Sequence, residues 1–345
     1  MGSKHKVLVF GAGSVGAHHI NAARKLNCKV FVTDISNDQL IYLEKKLYPS
    51  RYKKWDKKIN ILNYKNVYEL KEKFDLIVLG ISPFYHQSEL IKCIKRLKFK
   101  KILVEKPLFV AGQKIQNKLL NKYKKKIFCG FNHEISKSIL YLKKYIKKMN
   151  KIYKVNIEWK ESFDYLLAAH PWVKNINQTY LSNLSFGGGV LHEFSHAVHL
   201  MNNIKYLCLK NRSVKISSNL KFKRNKQNKK YDIKSSIYFD NDDVMFSTHI
   251  DGVSIPAKKK ITILSKKEKC IWERLSNKNL EKVTIFKNNK KIITKVYTVN
   301  RPQDFIGQTK ALISEKKKDN EIIKCNNFQN SLITNTLINK CIKNS

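Results

Sequence analysis

Three glycines near the start of the chain have the spacing of a dinucleotide-binding turn. Gly11, Gly13 and Gly16 follow an apolar stretch at residues 6–10 and precede a helical pattern of apolar residues. In this context the first glycine permits a tight turn, the second lets the backbone approach a pyrophosphate, and the third lets helix and strand pack closely. The sequence therefore predicts a pyrophosphate at the N-terminus of this helix, where backbone N–H groups favour an anion.

An acidic residue after the second apolar stretch indicates which dinucleotide this turn would bind. Residues 29–33 are predicted to form a strand that ends at Asp34. A carboxylate about 20 residues after the glycines accepts hydrogen bonds from the adenosine ribose of NAD. We therefore predict NAD as the cofactor. NADP stays open, because Ser36 and nearby lysines can meet a 2′-phosphate.

Lys106 lies just after a predicted strand, at the edge where open α/β sheets bind their ligands. It follows a predicted strand at residues 101–105, and the carboxyl ends of strands in open α/β sheets border the ligand crevice. An amine held there can exchange a proton with a substrate. The sequence therefore makes Lys106 a candidate catalytic residue.

A second candidate for chemistry is a histidine motif in the middle of the chain. Residues 192–196 read His-Glu-Phe-Ser-His and match HExxH, which places two imidazoles on one helix face for zinc. His199 offers a third ligand. The longer metzincin continuation is absent, and the three glycines at 187–189 fit a different pattern. We predict no bound metal and keep a zinc hydrolase as the less favoured alternative.

The strong positive charge does not by itself indicate a nucleic-acid partner. The 345 residues carry a formal net charge of +43, but only seven of the 69 basic residues are arginine. Arginine is the preferred reader of phosphates and bases, and the lysines here are spread over every predicted element. We expect no specific nucleic-acid partner.

Cysteine usage and hydropathy give an expectation about the compartment. The seven cysteines are odd in number and never spaced as CxxC, which favours reduced thiols. No run of about 18 apolar residues could span a membrane. The predicted first strand leaves no room for a signal peptide. We expect a cytoplasmic protein with no membrane partner.

The periodicity of the apolar residues changes once along the chain. Strands alternate with helices up to about residue 127, which predicts a doubly wound parallel sheet. From residue 153 onward, runs with a period of about two residues predict a mostly antiparallel sheet. The predicted fold class is α/β, with a Rossmann domain at 1–127 and an α+β domain with an open sheet at 128–345.

Several motifs in a fixed order resemble one known family. They are the glycine turn at 11–16, Ser82-Pro83 with His86, Glu105-Lys106-Pro107, Gly-Phe-Asn at 130–132, and Gly-Gly-Gly-Val-Leu at 187–191 leading to His196. This set is similar to the glucose–fructose oxidoreductase, inositol dehydrogenase and MocA family, over residues 6 to about 203. The resemblance implies an NAD(P)-dependent interconversion of a hydroxyl and a ketone on a sugar, cyclitol or nucleotide sugar. It extends to members from surface-glycan and acidic-sugar biosynthesis.

The resemblance also implies roles for individual residues. Lys106 would touch the substrate hydroxyl and the nicotinamide ribose, and His196 would exchange the alcohol proton. The family commonly has an aspartate four residues before this histidine, where the present chain has His192. Glu193, three residues before, would lie on the same helical face and orient His196. Further cofactor-binding positions are implied at Ser14, Val15, Ile35, Ser82, Pro83, His86 and Glu105.

Substrate contacts are predicted at five positions, which are Asn132, His133, His170, Trp172 and His192. Asn132 is equally well explained as a helix cap, and His170 and Trp172 as loop anchors. Because of the change at position 192, a catalytically degenerate NAD-binding protein is a further alternative. The resemblance implies a homodimer or homotetramer.

Overall fold

Contacts within the chain divide it into two units, each built from separate stretches of sequence. The computed structural model describes residues 5–168, 173, 175–210, 212–275, 278–300 and 302–345. The first unit comprises Met1–Phe109, Gln113–Asn132 and Arg301–Ser331, and the second comprises Val110–Gly112, His133–Asn300 and Leu332–Ser345. The sequence assigned everything after residue 127 to the second domain, whereas the chain returns to the first unit near its end.

A parallel sheet of six strands forms the centre of the first unit. Its strands run in the order β3-β2-β1-β4-β5-β6 and are all parallel. Leu8, Ile77 and Ile102 are fully buried, as expected for strands that are covered on both faces. The strands are β1 (Lys6–Phe10), β2 (Lys29–Asp34), β3 (Ile59–Asn63), β4 (Lys73–Leu79), β5 (Lys98–Val104) and β6 (Ile127–Cys129).

The second unit contains a sheet of eight strands in the order β14-β13-β12-β11-β7-β10-β9-β8. Neighbouring strands are antiparallel except for the parallel pair β7 and β10. The two sheets confirm the predicted fold class. The strands are β7 (Ile152–Lys160), β8 (Lys215–Arg224), β9 (Lys230–Asn241), β10 (Val244–Asp251), β11 (Lys258–Ser265), β12 (Glu268–Leu275), β13 (Leu280–Lys287) and β14 (Lys290–Thr298).

The helices of the described residues range from four to sixteen residues in length. None of them is both long enough and apolar enough to cross a membrane. They are α1 (Ser14–Lys25), α2 (Asn37–Tyr42), α3 (Tyr48–Tyr52), α4 (His86–Arg96), α5 (Asn117–Lys122), α6 (Lys137–Ile146), α7 (Phe163–Ala168), α8 (Val190–Glu193), α9 (Ser195–Leu209), α10 (Gln303–Ile313), α11 (Lys317–Ile323) and α12 (Phe328–Lys343).

Helix α10 belongs to the first unit because it packs on α1. The Phe305 ring stacks on His18 at 4.9 Å between centroids and meets His19 edge-on, also at 4.9 Å. These contacts join residues nearly 300 positions apart, so no local pattern in the sequence indicates them.

The stretch that follows α2 remains helical as far as Tyr52. A π-helical turn at Leu43–Leu47 leads directly into α3, with Pro49 in the first turn of that helix. Proline is tolerated at this position because its fixed φ suits the first turn of a helix. The Tyr48 ring packs edge-on against Trp55 at 5.3 Å, which fixes α3 on the chain that follows it.

A buried carboxylate holds the start of α8 in the second unit. Asp232 is fully buried on β9, where it accepts hydrogen bonds from Leu191 N–H at 2.9 Å and from the Ser235 hydroxyl at 3.0 Å. A Cβ on Gly189 would lie 1.8 Å from its Oδ1, so a side chain at that position would displace the carboxylate. Burial raises the pKa of Asp232 from 3.8 to about 6.

This shifted pKa predicts a pH dependence of stability that Asp232→Asn removes. Between about pH 4 and pH 6 the folded protein holds a proton on Asp232 that the unfolded chain releases. The free energy of unfolding therefore falls as the pH rises through this window. As the pH rises from about 4.5 to about 7.5, we expect the free energy of unfolding of the Asn variant to increase by about 2 kcal/mol relative to that of the wild type.

Urea unfolding of both proteins across this pH range measures the difference. Ser235→Ala is the matched control, because losing the hydroxyl donor raises the pKa of Asp232 further and moves the window to higher pH. Parallel stability profiles for the wild type and the Asn variant would contradict this account of Asp232.

Candidate functional site

The glycine turn after β1 is closely packed on backbone at two of its three glycines. Gly11 has a φ of +101°, and a Cβ there would lie 2.4 Å from the carbonyl oxygen of Gly80. A Cβ on Gly16 would lie 1.9 Å from the carbonyl oxygen of Gly11. These two glycines are therefore required by the approach of α1 to the ends of β1 and β4.

Gly13 is different, because the protein itself does not require a glycine there. Its φ is −81°, and no described protein atom lies within 4 Å of where its Cβ would be. In the described residues no side chain caps the N-terminus of α1 at this position. The open space beside uncapped N–H groups fits the close approach of a pyrophosphate.

Asp34 is held at the edge of the same turn. Its Oδ2 accepts a hydrogen bond from Ala12 N–H at 2.8 Å, and its Oδ1 accepts one from Ser36 N–H at 2.9 Å. Ile35 beside it is 83% exposed, which leaves an apolar surface next to the carboxylate. This pair fits the ribose and the adenine of a dinucleotide.

Glu105 is buried beneath the predicted catalytic lysine. Its Oε1 lies 2.7 Å from His19 Nε2, and its Oε2 accepts a hydrogen bond from the backbone N–H of Lys106 at 3.1 Å. A Cβ on Gly130 would lie 2.5 Å from this carboxyl group. Glu105 therefore fixes the backbone at Lys106, whose peptide bond to Pro107 is cis.

His86 joins two loops at the same edge of the sheet. The ring is fully buried, with Nδ1 2.9 Å from the carbonyl oxygen of Pro107 and Nε2 3.0 Å from that of Ile81. Burial holds its pKa below the usual value of histidine. The ring positions the chain around Ser82 and Pro83, and its predicted direct contact with a cofactor stays a prediction.

In the second unit, His196 lies among aromatic rings. The His133 ring meets it edge-on at 4.7 Å, and the Trp159 indole stacks on it at 6.1 Å. Trp159 in turn stacks on Trp272 at 6.3 Å, and both indoles are almost fully buried. The structure thus places His133 beside His196, and their roles in a site stay a prediction.

The helix that carries the histidine motif is interrupted inside the motif. Helix α8 ends at Glu193 and α9 begins at Ser195, with Phe194 at φ −98° and ψ 28° between them. The prediction that Glu193 and His196 share one helical face rested on a continuous helix, so its premise does not hold. The Glu193 carboxylate accepts a hydrogen bond from the Tyr180 hydroxyl at 3.2 Å.

His192 is fully buried, and both of its ring nitrogens are bonded to backbone. Ala111 N–H donates to Nε2 at 3.0 Å, so Nδ1 carries the proton and donates to the carbonyl oxygen of Gly188 at 2.9 Å. His199 is also buried, and its Nδ1 lies 2.8 Å from the Thr334 hydroxyl. These contacts leave His192 no lone pair for zinc and give it a structural role instead of contact with a substrate.

The remaining predicted substrate residues are placed as follows. The Asn132 side chain is buried and donates from Nδ2 to Asp304 Oδ2 at 2.9 Å. His170 and Trp172 lie outside the described residues.

The sequence did not point to a polar cavity in the second unit. Its volume is about 270 Å³. Three short 3₁₀ turns form one wall, and each turn is capped by the side chain before it, at Asn175, Thr179 and Asn183. Five of its nine lining residues are amides, namely Asn177, Gln178, Asn183, Asn225 and Gln227, and the cavity also has Tyr180 and Phe186 in its lining.

The cavity wall is tied to the hairpin between β8 and β9. Asn225 donates from Nδ2 to the carbonyl oxygen of Ser182 at 3.2 Å, and its Oδ1 accepts from the N–H groups of Gln227 and Lys229, both at 2.9 Å. The feature of the sequence that could have indicated this wall is a run rich in Asn, Gln, Thr and Ser at residues 175–185. Its link to the hairpin depends on a contact over 43 positions.

Solved structures with the same fold span nearly the whole chain. An inositol dehydrogenase homologue from Azotobacter vinelandii, complexed with NAD+, is 9% identical with a TM-score of 0.70, over 98% of this chain and 94% of that one. A levoglucosan dehydrogenase, complexed with NADH and L-sorbose, is 11% identical with a TM-score of 0.70, over 99% and 97%. A biliverdin reductase from Synechocystis sp. PCC 6803, complexed with biliverdin and NADP+, is 11% identical with a TM-score of 0.70, over 98% of both chains.

A family model describes the first part of the chain, although no curated protein matches its sequence. Residues 5–131 match the oxidoreductase family with an NAD-binding Rossmann fold. This range contains the glycine turn, Asp34 and Lys106, and it covers all six strands of the parallel sheet. The first part of the chain is therefore similar to the NAD-binding domain of the Gfo/Idh/MocA oxidoreductases.

Proposed function

We propose that this protein moves a hydride between a nicotinamide cofactor and the hydroxyl-bearing or ketone carbon of a sugar or cyclitol. Two of the structures that share its fold are named for a cyclitol and an anhydrosugar. The biliverdin reductase shares the fold equally well, so the fold alone does not define the substrate class.

The amide-lined cavity is the observation that carries the proposal. Side-chain amides both donate and accept hydrogen bonds, as do the hydroxyl groups of a sugar. Phe186 is 39% exposed and offers an apolar surface for the C–H face of a sugar ring. Tyr180 lines this cavity and donates to Glu193, three residues before His196. The cavity is thus joined to the segment that carries the proposed proton acceptor.

The proposal gives separate roles to three residues. When bound, the nicotinamide supplies or accepts the hydride. Lys106 binds the reacting hydroxyl through its amine, and Glu105 fixes the backbone from which this amine extends. His196 takes the alcohol proton in oxidation and returns it in reduction. Its aromatic neighbours His133 and Trp159 orient the imidazole and exclude water from one side of it.

We further propose a substrate class, a compartment and an oligomeric state. The substrate is either a free sugar or a nucleotide sugar in surface-glycan or acidic-sugar biosynthesis. The protein works in the cytoplasm. It forms a homodimer or homotetramer, as the resemblance to this family implies.

Replacing Lys106 tests the proposed function. We expect Lys106→Ala to lower kcat for sugar oxidation by at least about 100-fold, the range over which positioned proton-transfer groups contribute. The Kd for NADH should stay within about threefold of the wild type, because the pyrophosphate and the adenosine ribose are held at the glycine turn and at Asp34. Steady-state turnover over a panel of sugars, cyclitols and nucleotide sugars, together with calorimetric NADH titration, measures both quantities.

Lys98→Ala is the matched control, because Lys98 is an exposed lysine at the opposite end of the same strand. Turnover by Lys106→Ala at the wild-type rate would remove the assigned role. NADH binding without turnover of any substrate by the wild type would favour the catalytically degenerate protein, for which the change at His192 is the supporting observation.

Asp34 predicts which dinucleotide binds more tightly. Asp34→Ala should weaken NADH by about 10-fold or more, because a hydrogen bond to a charged acceptor contributes about 1.5–3 kcal/mol. The affinity for NADPH should fall far less, since the carboxylate repels the 2′-phosphate of NADPH in the wild type. Fluorescence titration of both cofactors measures the ratio. Asp38→Ala, a change in the first turn of α2, is the control, and equal losses for NADH and NADPH would argue against the ribose contact.

The packing of the glycine turn predicts opposite behaviour for two of its glycines. Gly13→Ala should keep the melting temperature of the wild type, because no described atom occupies the Cβ position. The same variant should weaken NADH binding by about 10-fold or more. Gly16→Ala should lower the melting temperature strongly, because its Cβ would overlap the carbonyl oxygen of Gly11. Thermal melts with and without NADH separate the two effects, and a large loss of stability in Gly13→Ala would contradict the assignment of that space to the cofactor.

A further inference from the structure

A buried histidine on α1 completes the surroundings of Glu105. His19 is 1% exposed, and its Nε2 lies 2.7 Å from Glu105 Oε1. The other carboxylate oxygen accepts from the backbone N–H of Lys106, so Glu105 is bonded through both of its oxygens. Because a carboxylate only accepts hydrogen bonds, the proton of the contact lies on His19 Nε2. The backbone of Lys106 is thus linked to His19 by two successive hydrogen bonds.

The carboxylate of Glu105 depends on these two donors. Glu105 is 8% exposed, and a side chain at Gly130 would collide with its carboxyl group. A buried carboxylate that loses one donor is left with charge that water does not compensate. Without the imidazole, the carboxylate would turn toward another donor or take up a proton. In either case its hydrogen bond with the N–H of Lys106 would weaken.

A helix near the end of the chain holds the imidazole in place. The Phe305 ring on α10 meets His19 edge-on at 4.9 Å, and both residues are almost fully buried. Asn132 donates to Asp304, which holds the start of α10 beside the loop that follows β6. Within the described part of the chain, His19 Nδ1 has no hydrogen-bond partner. The carboxylate of Glu105 and the ring of Phe305 therefore both orient the imidazole.

We propose that His19 is a positioning residue, which acts on Lys106 through Glu105. This inference rests on the proposed function, in which the amine of Lys106 binds the reacting hydroxyl. A displacement of about 1 Å in a reacting group can cost about 100-fold in rate, so a residue that fixes the backbone of Lys106 affects kcat. Phe305 supports His19 from outside residues 5–131, the range that the family model matches.

Two substitutions of His19 separate its hydrogen bond from its packing. The side-chain amide of glutamine extends to about the position of Nε2, so His19→Gln can keep a donor to Glu105. The shorter amide of asparagine reaches only the position of Nδ1, where the described residues offer no partner. We expect His19→Asn to lower kcat by about 10-fold or more, and His19→Gln to stay within about threefold of the wild type. The Kd for NADH should change by less than about threefold in both variants.

Hydrogen exchange at the backbone N–H of Lys106 tests the same contact without a substrate. The rate of exchange reports how often the hydrogen bond of this N–H opens. In His19→Asn the Lys106 N–H should exchange faster by about 10-fold or more, whereas in His19→Gln it should exchange at about the wild-type rate. Fragmentation mass spectrometry resolves this position, and the next residue, Pro107, has no N–H to overlap with it.

Two further variants serve as controls. His18→Asn changes the neighbouring histidine, whose Nδ1 contacts the Tyr52 hydroxyl, and should leave exchange at Lys106 unchanged. Phe305→Leu keeps an apolar side chain but removes the ring that meets His19, and should speed this exchange by a smaller factor than His19→Asn. The melting temperature of each variant shows whether a change at Lys106 is local or reflects a loss of global stability.

Three results would overturn the proposal. The first is wild-type exchange at Lys106 together with wild-type kcat in His19→Asn. The second is an equal loss in His19→Asn and His19→Gln, which would mean that His19 contributes packing alone. The third is faster exchange at Lys106 with an unchanged kcat, which would mean that this contact does not affect the reaction. A wild type that turns over no sugar or cyclitol would contradict the proposed function instead, and the exchange rates would still decide the role of His19.

Discussion

The first unit depends on one close approach of backbone to backbone. Gly16 at the start of α1 meets the carbonyl oxygen of Gly11, and Gly11 meets Gly80, at distances that leave no room for a Cβ. This contact sets the N-terminus of α1 against the ends of the two central strands, β1 and β4. The uncapped N–H groups of the helix and the carboxylate of Asp34 then lie around one turn. The binding of a dinucleotide is a consequence of this packing, and Gly13 is the one glycine whose missing side chain is left for the ligand.

The sequence predicted those parts of the architecture that depend on local patterns of residues. The glycine spacing needs only six consecutive residues. The change from alternating helices and strands to apolar runs with a period of about two residues is also visible within short windows. Both sheets follow from such patterns, because buried parallel strands are continuously apolar and half-covered antiparallel strands alternate. The ordered motifs around Lys106 and His196 gave the resemblance to a known family for the same reason, and the family model matches the range that contains Lys106.

The parts that the sequence did not predict depend on contacts between distant residues. Phe305 packs α10 onto α1, in the segment Arg301–Ser331 that returns to the first unit. His192 looked available in the HExxH pattern, yet it is bonded to Ala111, some 80 positions earlier. The helix break at Phe194, which separates Glu193 from His196, has no glycine or proline to mark it. For His192, a tertiary contact therefore decides what a chemically reactive residue can do.

The chain is strongly basic, whereas its cavity is lined by uncharged amides, and these two properties favour different features of a substrate. The chain carries a net charge of +43, so its surface attracts anions in general, including the pyrophosphate of a dinucleotide. The cavity beside Tyr180 uses amides instead, and these recognise hydroxyl groups by direction and not by charge. General attraction raises the rate of encounter, whereas directional hydrogen bonds select what stays bound. A polyhydroxylated ring fits the second kind of recognition, and a nucleotide-linked one would use both, with its phosphates drawn to the basic surface and its sugar held by the amides.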